Sequence, residues 1–100
     1  MKNNKIIIIH PGETLREELL KPYGITAEQL AQAIKVSPEI VKELIEEKRD
    51  LDKDLAARLA IYFNMSAEFW LGLQHVYEES CLEELKVSLR KEISPLLIRQ

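Results

Sequence analysis

The sequence predicts an all-α fold of five helices built around a helix-turn-helix, with a short N-terminal strand and an extra C-terminal helix. Three observations predict it. Two short amphipathic segments, together spanning Thr26 to Glu47, break at Lys35-Val36. Residues that cap helices stand ahead of apolar runs at helical spacing along most of the chain. The one β-branched run, Ile6 to Ile9, is bounded by Asn3-Asn4 and by His10-Pro11-Gly12, a strand's composition with no second strand to pair with.

That first run has three destinations open to it: a lid across the helices, a strand shared with a second copy, or a strand given to another protein. Pro11-Gly12-Glu13 then opens a helix with Leu15, Leu19 and Leu20 inward and Arg16, Glu17 and Glu18 outward, stopped by Pro22 and Gly24. Thr26 caps the next helix, with Gln29 three residues on completing a capping box, and Leu30, Ala31 and Ile34 face the core. Ser37 is the N-cap of the second motif helix, Pro38 suits its first position, and Glu39 favours its positive dipole end. Ile40, Val41, Leu44 and Ile45 recur on its buried face. Helices this short do not stand alone, so the pair demands a helical surround.

The remaining chain supplies one. Lys48 to Leu51 reads as a polar connection. Asp52 caps a helix with Leu55, Ala56, Leu59, Ala60 and Phe63 on one stripe, ended by Asn64. Ser66 caps the fifth, in which Phe69, Trp70, Leu73, Val76 and Tyr77 face the core. Ser80 and Glu83 form another capping box, opening a last helix over residues 80–94 whose Leu82, Leu85, Leu89 and Ile93 make a narrow stripe. That stripe either folds back to cover the core or buries itself against a second chain; with Ile7 and Ile9 of the N-terminal run, it is the expected partner or dimer surface. The whole reads as a single domain over 1–100, with its helix-turn-helix core at 10–77.

Composition narrows the function. With 14 Lys and Arg against 17 Asp and Glu, the net charge of −3 gives no overall attraction to phosphate, so nucleic-acid binding has to come from a local patch. Cys81 is the single cysteine, which excludes an internal disulfide and a cysteine metal cage and fits the cytoplasm. The apolar run after Lys2 and Lys5 is far too short for a secretory signal, and the charge content excludes a membrane span. His10 and His75 lie far apart without acidic or cysteine neighbours at ligand spacing, there is no glycine-rich phosphate loop, and the paired glutamates read as solvated helix faces. No catalysis, metal or cofactor is expected.

The motifs in order are His10-Pro11-Gly12-Glu13, Leu15-Arg16-Glu17-Glu18, the helix-turn-helix, Lys48-Arg49, Ala57-Arg58-Leu59-Ala60 with Phe63, and Glu68-Phe69-Trp70-Leu71 with Leu73-Gln74 and Tyr77. Their order and spacing over residues 10–77 resemble the HigA/VapI family of antitoxins. The resemblance implies a lambda-repressor/Cro-like fold, homodimerisation, a HigB-type toxin that cleaves mRNA as partner, and repression of the protein's own operon through operator DNA. It places the groove-facing positions on Pro38, Glu39, Lys42 and Glu43. It places the backbone-contacting ones on Thr26, Ala27, Lys48 and Arg49.

Two departures from the family pattern stand out. Lys35 occupies the turn position where glycine is usual, and Glu46-Glu47 replaces an Asn-Gly pair. Carboxylates repel the phosphate backbone, and the base contact open to glutamate is acceptance from a cytosine amino group. Lys35, Lys42, Lys48, Arg49 and Lys53 remain to hold phosphates. Two functions follow: an autoregulating antitoxin, in which Lys48 and Arg49 position and Lys42 and Glu43 read bases, or a protein-interaction module that keeps the fold and has lost the DNA surface.

Overall fold

Helix α1, residues 11–23, starts from a histidine cap: His10 is extended, and its Nδ1 accepts the Gly12 N–H at 2.8 Å. That role requires the tautomer protonated at Nε2. The buried ring also meets Tyr77 edge to face, with centroids 4.7 Å apart. In this computed structural model, which describes residues 7–97, α1 is interrupted by a π turn over Leu15–Leu20, where Lys21 N–H bonds to the Arg16 carbonyl five residues back. Pro22 therefore does not stop the helix as expected but sits inside Lys21–Tyr23. The widened turn ahead of it accommodates a residue with no N–H and a ring that would otherwise meet the carbonyl four residues back. Gly24, at φ 65°, ends the helix.

Helix α2, Ala27–Ile34, has the expected capping box: Thr26 Oγ1 accepts from Gln29 N–H at 3.0 Å, and Gln29 Oε1 from Thr26 N–H at 2.9 Å. It ends at Lys35 in the left-handed region, φ 65° and ψ 46°, with Val36 N–H bonded back to the Ala31 carbonyl. Lysine holds this conformation at a cost of about 1 kcal/mol that glycine avoids. Lys35→Gly should therefore raise stability by about 1 kcal/mol and the melting temperature by roughly 4–8 °C, read by thermal denaturation. An unchanged or lower melting temperature would contradict this account of the turn.

Helix α3, Pro38–Ile45, begins after Ser37, which has cap geometry but makes no side-chain cap bond; the fixed φ of Pro38 and the Ser37 carbonyl, accepting from Ile40 N–H, start the helix instead. Val41 and Leu44 are buried, whereas Ile40 and Ile45 are only half-buried at the margins of the core. The helix ends at Glu46, and Glu47 takes φ 64°. Helix α4, Lys53–Phe63, is capped by Asp52 and closed by Asn64 at φ 56°. Its Leu55, Ala56, Leu59 and Ala60 are buried, with Phe63 half-buried.

Helix α5, Ala67–Leu89, is capped by Ser66, whose Oγ accepts from Phe69 N–H at 3.0 Å. It joins what the sequence divides in two. No break occurs at Ser80, because neither glycine nor proline lies between Gly72 and Pro95 and nothing forces the backbone out of the helix. The C-terminal segment is thus the outer half of α5, and it ends at Leu89, short of Ile93. From Leu82 to Leu97 every residue is exposed. Phe69 and Val76 are exposed too, at 44% and 61%, because a single face of this long helix reaches the body; Trp70 is fully buried there and Leu73 and Tyr77 half-buried.

One core unites the helices, centred on Leu15, Leu30, Leu44, Leu59 and Trp70, to which Leu51 adds a buried anchor from the connection expected to be polar. Among the described residues there is no strand. Ile7 to Ile9 have no pairing partner among the described residues, and Ile6 lies outside them. No helix among the described residues is long and apolar enough to cross a membrane.

Candidate nucleic-acid interface

Burial of Val41 and Leu44 turns the opposite edge of α3 outward. Pro38, Glu39 and Lys42 are exposed there, and Glu43 is half-buried. Thr26 is exposed and Ala27 half-buried at the start of α2; Lys48 is exposed and Arg49 half-buried beyond the end of α3. Among these positions charge joins Glu43 to Arg49, and it ties Lys42 to the first turn of α2. Lys42 Nζ lies 3.2 Å from Glu28 of the first turn of α2, and Arg49 Nε lies 3.0 Å from Glu43. Lys48 pairs with Glu46 at 3.3 Å.

The Arg49 guanidinium occupies Glu43, which sequence reasoning offers as a base reader. Glu28 is held below the ordinary carboxylate range by its own backbone N–H and then by the Lys42 ammonium. Exposed pairs of this kind are worth at most about 1 kcal/mol, and Arg49 pairs through Nε alone, which leaves its other guanidinium N–H groups for a phosphate. Lys35 and Lys53 have no ion-pair partner among the described residues.

Three positioning residues escape sequence reasoning. Arg16, expected to face solvent, is half-buried: Nη1 donates to the Ile45 carbonyl at the end of α3, and Nη2 lies 3.5 Å from Glu47. Its neighbour Glu17 raises the guanidinium's pKa, while Arg16 and then Lys21 lower that of Glu17. Buried Gln74 accepts from Leu51 N–H at 2.9 Å and donates to Glu78 at 3.0 Å, tying the connection after α3 to α5. Arg58 of α4 donates to the Ile34 carbonyl at 2.7 Å and to that of Lys35 at 3.4 Å, bracing the corner of the motif. Arg16, Arg58 and Gln74 all lie in the quoted motifs, which was the only signal available.

The arrangement offers an exposed helix edge with cations on two sides, supported from behind by three hydrogen-bonded anchors. No three His, Cys, Asp or Glu among the described residues gather closely enough to hold a metal ion. The helix-turn-helix family pattern matches residues 15–70. Virulence-associated protein I of Dichelobacter nodosus is 44% identical over 86 residues, covering 86% of this chain and 80% of that protein. Antitoxin HigA-1 of Vibrio cholerae is 36% identical over 78 residues, 78% of this chain and 73% of that one. The solved structure of Pseudomonas aeruginosa antitoxin HigA with the higBA promoter superposes with a TM-score of 0.80 at 40% identity, covering 91% of this chain and 100% of that one.

Proposed function

Because the chain belongs to the helix-turn-helix family, and within it to the HigA and virulence-associated protein I group, we propose that it is an antitoxin that represses its own operon. It binds operator DNA as a homodimer, takes a HigB-type toxin as its protein partner and acts in the cytoplasm by binding rather than catalysis. The observation that carries this reading is the outward edge of α3, with Pro38, Glu39 and Lys42 exposed over a buried Val41 and Leu44. Such an edge suits the major groove, with the N-terminal residues of the second helix nearest the bases. Thr26, Ala27, Lys48 and Arg49 flank it where the phosphate backbone would pass.

The test is binding of duplexes from upstream of the gene at graded salt. Native protein should bind a palindrome with a steep loss of affinity as salt rises. Replacing Lys48 and Arg49 together by alanine should weaken binding across sequences and flatten the log–log salt slope by about 2, one for each lost phosphate contact. Failure of every such duplex to shift the protein at low salt, with or without toxin, would defeat the operator reading.

A second reading rests on the exposed stripe of α5. Leu82, Leu85 and Leu89 face solvent on a helix that has left the core, and Leu89, Ile93 and Pro95 line a shallow groove edged by Lys86 and Arg90. With Lys42 and Arg49 already paired to carboxylates, a protein-interaction module that works through this stripe and the Ile7 to Ile9 segment is the alternative. The two readings share the stripe as their association surface.

A further inference from the structure

The ion pairs around α3 leave its outward edge with one uncommitted charged side chain. Lys42 is tied to Glu28 and Glu43 to Arg49, while Glu39 is exposed and has no ion-pair or hydrogen-bond partner among the described residues. It is the second residue of the helix, next to Pro38, in the part of a recognition helix that meets base edges. A bare carboxylate in the major groove is repelled by phosphates on both sides. It is tolerated only where a donor is presented to it: cytosine N4 is an amino donor with no acceptor beside it on the same base, whereas adenine N6 stands next to N7, an acceptor that repels a carboxylate.

Resting on the operator reading above, we infer that Glu39, rather than Glu43, is the specificity-determining residue, selecting a C·G pair at one position in each half-site. Glu43 is then a positioning residue that orients the Arg49 guanidinium. Glutamine at position 39 has the same length and shape but carries a donor beside its acceptor, the pattern that reads adenine N6 and N7. One atom exchanged should therefore exchange the base.

The experiment is selection from a randomised palindromic duplex library by native protein and by the E39Q, E39A and E43Q variants, each checked for native helical content by circular dichroism. Native protein should prefer C·G over A·T at one symmetric position by roughly ten-fold or more. E39Q should move that preference to A·T, E39A should lose it, and E43Q should keep it. Base preferences unchanged in E39Q and E39A, or a shift that follows E43Q instead, would overturn the role of Glu39 while leaving operator binding standing. Native protein that selects no sequence would overturn the operator reading and this one with it.

Discussion

Gly12→Ala should cost about 3 kcal/mol or more, enough to lower the melting temperature of a chain this size by roughly 12–24 °C or to leave it unfolded. A Cβ placed on Gly12 falls inside the contact radius of the Leu44 carbonyl oxygen and 2.8 Å from its carbonyl carbon. Both are backbone atoms, so no rotamer change relieves the clash. Only separation of α1 from α3 does, and that opens the core at Leu15 and Leu44. Gly72 provides the control, since nothing lies within 4 Å of a Cβ there. In mid-helix, Gly72→Ala should stabilise by roughly 0.8–1 kcal/mol. Thermal denaturation of the two variants should give shifts of opposite sign; a small loss at Gly12 would mean the two helices can part more easily than their packing implies.

Leu85→Glu should halve the mass of the protein in solution, from a dimer to the 11.6 kDa single chain, while the helical signal persists. Leu85 is 53% exposed in the single chain, so the substitution removes nothing from the core. What it places in the stripe is a charge that a second copy would have to bury unpaired. Operator affinity should fall by roughly a hundred-fold with the dimer, because two half-sites are no longer engaged together. Light scattering or sedimentation decides the matter, and an unchanged mass would remove the stripe from both functional readings.

Local chemistry makes the motif legible in the sequence. The Thr26/Gln29 box, the Asp52 and Ser66 caps and the Val41/Leu44 face are each decided within one turn of helix, and each stands as expected. What escaped depends on distant partners. Arg16 reaches a carbonyl 29 residues away and Gln74 an N–H 23 residues away, and no periodicity signals such bonds. Ser80 shows the opposite error: a good cap sequence starts nothing when the preceding helix has no reason to stop. At Lys35 the family glycine is absent yet the left-handed turn persists, because Arg58 and the surrounding core outweigh a cost of about 1 kcal/mol. The outward edge of α3 was legible as positions but not as chemistry, since the pairing of Glu43 with Arg49 depends on how the chain returns after Glu47.

The anchors behind α3 bear on how a duplex would be accommodated. Arg16 grips the Ile45 carbonyl at its end, Arg58 grips the corner before it, and Gln74 holds the segment after it. A reading head fastened at both ends has little travel of its own, so the strain of a fit between two such heads falls on the nucleic acid. Steps that bend or twist easily would then be favoured between the half-sites, at base pairs no side chain touches.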